Sequence, residues 1–176
     1  MPAESPIPID PNMVEVVLGR IIISERSDRQ YIFLSERKGK RGFPIVIGTA
    51  EAAEIRRVVG RMTCERPMTH QLAYSIIEGL GCELARCDIV DLRSNTFYAK
   101  LIVRPKGGGA ECVLDARPSD AIALALRAGC TMRVAESVLD QVRTDMSGPD
   151  PLPPEGQHGT EESDDAAGEV DPPPQP

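Results

Sequence analysis

Residues 114 to 129 read LDARPSDAIALALRAG. The end of an apolar strand runs into Asp115, Arg117, Ser119 and Asp120. It then enters a helix of alanine, leucine and isoleucine that stops at Gly129. A helix apolar nearly all round is central in a fold, and its alanines let neighbours approach closely. Charges at the mouth of such a helix need partners, because ionised groups are rarely buried unpaired. They either neutralise one another as structural cement or line a cleft that handles a charged substrate.

The chain upstream repeats this layout about 69 residues earlier. Residues 15–60 and 83–129 each hold a strand, a polar turn, an aromatic-bearing strand (QYIFL; FYAKLIV), a Lys/Gly loop, a short strand and a helix ending at glycine. Order of elements rather than identity carries the match, which suggests internal duplication of a β-hairpin-plus-helix unit. The loops RKGKRG and RPKGGG suit hairpin turns. The first helix places Ala52, Ile55, Val58 and Val59 on one stripe. Between the halves, RPMTHQLAYSIIEGLG predicts a helix capped by Thr69, burying Leu72, Ile76, Ile77 and Leu80, and ended by Gly81. TMRV then reads as a strand and AESVLDQV as a closing helix. The expected class is α+β, with mixed, largely antiparallel hairpins and packed helices.

Composition sets the boundaries. Residues 1–12 hold four prolines and read as a flexible lead-in, 13–146 as the folded domain, and 147–176 as a disordered tail. The tail has eight prolines, eight acids and almost nothing to bury, so it cannot offset chain entropy. Net charge is −7, yet residues 13–146 carry 20 bases against 17 acids, a net +3. The acidity belongs to the tail, and the folded part is mildly basic, which is compatible with nucleic acid. Five cysteines without CxxC spacing read as small buried residues in a reducing compartment. No apolar run approaches membrane length and the start has no apolar leader core, so the expected location is cytoplasmic, with no membrane partner.

The stretches PIVIGTAEA, RPMTHQL, TFYAKL and LDARPSDAIALALRAG, in this order, resemble the bifunctional nuclease domain family over Met13 to Val142. The family's acid and alanine after the IG turn are met by Glu51 and Ala52. Its Arg-Pro and Thr-His are met by Arg66, Pro67, Thr69 and His70. Its following Asp is here Gln71. The resemblance implies a nuclease acting on DNA and RNA.

Phosphodiester hydrolysis needs an activated water, stabilisation of a charged phosphorane and protonation of a leaving oxygen. The candidates for catalysis are His70, Asp115, Arg117, Asp120 and Glu51, and those for substrate binding are Arg66, Ser119 and Lys38. Asp115, Asp120 and Glu51 can hold a divalent cation (Mg or Mn). Arg117 and Arg66 can clamp phosphate oxygens bidentately. Beside each role stands a bland one. Asp115 and Arg117 can simply pair. Ser119 and Asp120 suit a helix start after Pro118, as Glu51 does in the earlier helix. His70 can be a hydrogen-bonded structural residue, and Lys38 a solvated turn residue. With 3% aromatics and no tryptophan, base stacking is expected to be minor. The competing reading is a non-catalytic anion- or ligand-binding regulatory module. A homodimer through the small-residue helix, a homo-oligomer in either case, is compatible with both.

Overall fold

Gly129 (φ 66) stops the central helix in a left-handed turn that a side chain would strain. The rest of the fold is arranged around that helix. The computed structural model describes residues 12–24 and 29–142, and the backbone of 144–145. The expected lead-in up to residue 11 and the whole of the expected tail, 147–176, lie outside the described residues.

Strands β1 (Met13–Ile22), β2 (Gln30–Glu36) and β3 (Arg41–Ile47) form an antiparallel meander. Helix α1 (Thr49–Val59) follows, then α2 (Thr69–Gly79). A second meander comprises β4 (Cys82–Arg93), β5 (Thr96–Pro105) and β6 (Cys112–Ala116), followed by α3 (Pro118–Ala128). The chain closes with β7 (Thr131–Ala135), α4 (Glu136–Val142) and the short β8 (Thr144–Asp145). All eight strands join one sheet in the order β6-β5-β4-β7-β1-β2-β3-β8. The fold is therefore α+β, and largely antiparallel. Among the described residues the one parallel pair, β4 with β7, joins the two meanders. The halves share their order of elements; that order alone does not establish duplication.

The sheet coils. Phe43 of β3 and Phe97 of β5 have four strands between them in the order, yet their rings stack at 5.6 Å and 28°. Two irregularities in the β4 pairing, after Leu84 and after Ile89, supply the added twist. Helix α3 packs on β4, β5 and β7, with α1 and α2 against its flanks. Ala121 to Ala125 are all buried. The small residues of this helix, expected at a homodimer interface, therefore face the protein's own core.

Four other features differ from what the sequence predicts. Thr69 is the first residue of α2 rather than its cap: Met68 holds that position, without a side-chain capping bond. On α2, Ala73, Tyr74 and Ile77 pack on the core, while Leu72, Ile76 and Leu80 are exposed. Of the four residues expected in the core only Ile77 packs there, because both faces of this helix are apolar and the period alone does not choose between them. Of the cysteines only Cys87 is buried; Cys64 and Cys112 are exposed. On α1, Ala52 and Ile55 are buried as expected, but Val59 is exposed and the third buried residue is Glu54.

The sheet also buries a charge. Asp88 of β4 is 0% exposed and sits beside Arg133 of β7 across the parallel pair. Arg133 forks onto it, Nε to Oδ1 and Nη2 to Oδ2, both at 2.7 Å. Arg86 Nε adds a third bond at 3.3 Å. Among the described residues no helix is long and apolar enough to cross a membrane.

Candidate active site

Three helices begin at one place. α1, α2 and α3 start near one another, and none of the three has a side-chain capping bond at its N-terminus. A helix start leaves backbone N–H groups without partners and carries a partial positive charge of about half a unit. The first turns of the three helices line one cavity of about 480 Å³ through Glu51 of α1, Thr69 and His70 of α2, and Asp120 of α3. Arg117, in the N-cap position of α3, reaches across it.

The side chains are connected. His70 Nε2 lies 2.9 Å from Asp120 Oδ1. Arg117 donates from Nε to Asp120 Oδ2 at 2.8 Å and from Nη2 to Glu51 Oε1 at 2.9 Å. Nη2 also reaches Asp120 Oδ1 at 3.2 Å, while neither carboxylate engages Nη1. Arg117 remains 68% exposed, so a ligand from solvent can reach its guanidinium. Gly48 makes room for this arrangement, since a Cβ there would come within 2.5 Å of Glu51 Oε2.

Burial opposes ionisation of Asp120, but the hydrogen bonds from Arg117 and His70 outweigh it and hold the carboxyl below its ordinary value. The unfolded chain therefore takes up this proton first as pH falls. The stability the group contributes is complete above its ordinary value of 3.8 and is lost as pH drops through the lower folded value. In thermal melts from about pH 5 downward, wild type is expected to lose melting temperature more steeply than Asp120→Asn. Parallel slopes would mean that the cluster does not hold the charge.

Of the sequence-derived candidates, Glu51, His70, Arg117 and Asp120 come together. Asp115 does not. It is 69% exposed on β6 and pairs with Lys100 Nζ of β5 at 2.7 Å, because strand alternation turns it away from α3. The expected metal set of Asp115, Asp120 and Glu51 is thus not assembled. Among the described residues no three His, Cys, Asp or Glu side chains are placed to share an ion. The Arg117 guanidinium already bridges Glu51 and Asp120, so the residues present do not fit a divalent cation. Arg66 is exposed in the loop between α1 and α2 and lines neither this cavity nor its neighbours. Lys38 lies in the β2–β3 turn, at the far end of a seven-residue strand from Glu51, about 20 Å away. Ser119 is buried and faces a different, larger cavity. Gln71 lies on the other flank of α2, beside Arg57, Arg61 and Arg127. The carboxylate that the family has there is therefore not missing from this cluster.

One residue of the site is not among the candidates drawn from the sequence. Glu54, one turn beyond Glu51, is buried and ion-paired with Arg57 and, at 2.6 Å, with Arg127 of α3. It lines the same cavity from below and ties α1 to α3. The spacing of Glu51, Glu54 and Arg57, three apart along one helix, was the available signal.

The bifunctional nuclease domain family model matches residues 32–147. The chain is 39% identical over 129 residues to Uncharacterized protein Rv1829 of Mycobacterium tuberculosis (strain ATCC 25618 / H37Rv), covering 73% of this chain and 76% of that protein. The same figures hold for Uncharacterized protein MT1877 of strain CDC 1551 / Oshkosh. Bifunctional nuclease 1 of Arabidopsis thaliana is 25% identical over 92 residues, 52% of this chain and 28% of that protein.

Proposed function

Since the chain belongs to the bifunctional nuclease domain family, we propose that it hydrolyses phosphodiester bonds of DNA and RNA at the cavity between the three helix starts. The observation that carries this is the convergence of three uncapped helix N-termini on a His–Asp pair and an exposed arginine. Such starts favour anions and are ready donors to phosphate oxygens.

The roles follow from the bonds. With Nε2 donating to Asp120, the His70 ring keeps Nδ1 as its proton acceptor. Nδ1 takes a proton from the water that attacks phosphorus, and Asp120 stabilises the resulting imidazolium. Arg117, through Nη1 and its exposed edge, neutralises the charge growing on the phosphoryl oxygens, and the helix starts add to that field. Glu51 fixes the guanidinium in place. The departing oxygen takes its proton from solvent. Each of these steps rests on the chain's own side chains, and both DNA and RNA are substrates because no step uses a 2′-hydroxyl.

The test is cleavage of DNA and RNA by the purified full chain in EDTA. Activity is expected to persist there and to be unaffected by Asp115→Asn, whereas Arg117→Lys, which keeps the charge but loses the fork, is expected to lower the rate at least about tenfold. Loss of all activity in EDTA, restored by Mg²⁺ or Mn²⁺, would overturn the metal-free mechanism. The alternative of a non-catalytic anion-binding module is supported by one observation: Glu51, Arg117, Asp120 and His70 already satisfy one another as a structural brace would. Phosphate binding without turnover in any condition would favour it.

A further inference from the structure

Next to the cluster lies a second, larger cavity of about 950 Å³, within the size range of ligand sites. Glu51 and Arg117 line both cavities, so the arginine stands at the doorway between them. The chain has only three tyrosines and three phenylalanines, and half of them, Tyr31, Phe33 and Phe97, border this one space. Phe33 is sealed beneath the Arg20 guanidinium, whereas Tyr31 and Phe97 keep part of their rings in the open. Tyr31 and Phe33 are two apart on β2 and so share a sheet face, with Val46 paired opposite Tyr31 on β3. The other wall is the β4–β5 hairpin, which brings Asn95 and Thr96 to the space, and the start of α3 brings Ser119.

We propose that this cavity receives a nucleobase, so that the nucleotide whose phosphate meets Arg117 places its base against the wall that Tyr31 and Val46 present. The chemistry of the walls selects this class of ligand. Flat apolar and aromatic surface takes the face of a base, the amide and hydroxyl groups of Asn95, Thr96 and Ser119 meet its polar edge, and the cation at the doorway takes the phosphate. Low aromatic content predicts little stacking along a strand, and the proposal needs only one base to meet the rings gathered at this place. A base held in a duplex is stacked and paired and cannot enter, so the preferred substrates are single strands and frayed ends. The inference rests on the phosphodiesterase reading for its placement but not for its test.

The test is equilibrium binding of the full chain to adenosine 5′-monophosphate and to ribose 5-phosphate at low salt. The two share sugar and phosphate and differ only in the base. The nucleotide is expected to bind at least about tenfold tighter, the scale of one base stacked on protein rings. Val46→Asp sets a charge in the wall at an exposed strand position. It is expected to remove the difference while leaving ribose 5-phosphate binding unchanged, and Tyr31→Ser does the same if the first variant melts early. Equal affinities for the two probes, or no nucleotide binding, overturn the proposal. So does undiminished nucleotide binding in both folded variants. If the nucleotide binds preferentially and nothing is cleaved, the subsite stands and the nuclease reading fails. If nucleic acid is cleaved and the base adds nothing to binding, the reverse holds.

Discussion

Replacing His70 by glutamine is expected to lower cleavage by about a hundredfold or more, the scale of a general base, while the protein melts close to wild type. Glutamine keeps an N–H that can donate to Asp120, so the cluster need not collapse. It has no nitrogen that accepts a proton. His70 rides on a helix whose residues are all at least partly exposed, so the change leaves the core untouched. Cleavage of single-stranded DNA and RNA, measured beside a thermal melt, separates the outcomes. Unaltered cleavage by a folded variant would reduce His70 to a brace for Asp120 and move the base elsewhere. A variant that melts early and loses activity in proportion would make it structural.

The second large effect is on stability. Asp88→Ala is expected to cost about 3 kcal/mol, the lower end for breaking a buried ion pair, because Arg133 and Arg86 keep some contact with water. In a chain of this size that lowers the melting temperature by roughly 10 °C. Asp91→Ala, which removes an exposed pair with Arg93, is the control and is expected to cost less than about 1 kcal/mol. Denaturant unfolding of the three proteins decides the matter, and equal losses in the two variants would contradict the assignment. Phosphodiesterase activity at low temperature is expected to survive in both, since neither aspartate touches the cluster.

These residues also mark where the sequence was readable. The charged stretch before α3 announced a site, and Glu51, His70, Arg117 and Asp120 do meet. They could be found because each stands at a helix start, and helix starts leave clear local signals. Asp115 was misplaced because one step along a strand reverses a side chain, and no local pattern fixes which face is inward. Leu72, Ile76 and Leu80 were misassigned for a related reason: periodicity locates an apolar stripe but cannot choose between two stripes on one helix. Glu54 and Asp88 were passed over because a carboxylate inside a fold is betrayed only by its partners. Those partners lie 73 positions away at Arg127 and 45 away at Arg133. The apolar cavity was invisible because it forms only when the sheet coils and brings Phe97 to β3.

The position of β7 has a consequence for the order in which the chain can assemble as it is synthesised. Each meander pairs strands that are neighbours in sequence and can form soon after its own residues are made. Their union cannot, because the strand between them is Thr131–Ala135, and Met13 of β1 must wait for Ala135 before it has its partner. Pairing across so long a stretch of sequence is slow to nucleate. Until it occurs, β1 and β4 each present an unpaired edge of the kind that recruits other strands. A nascent chain halted before residue 131 therefore holds two sheets that cannot yet become one, and the interval between completion of the second meander at Ala116 and the making of Thr131–Ala135 is when this protein is most exposed to association with its own copies.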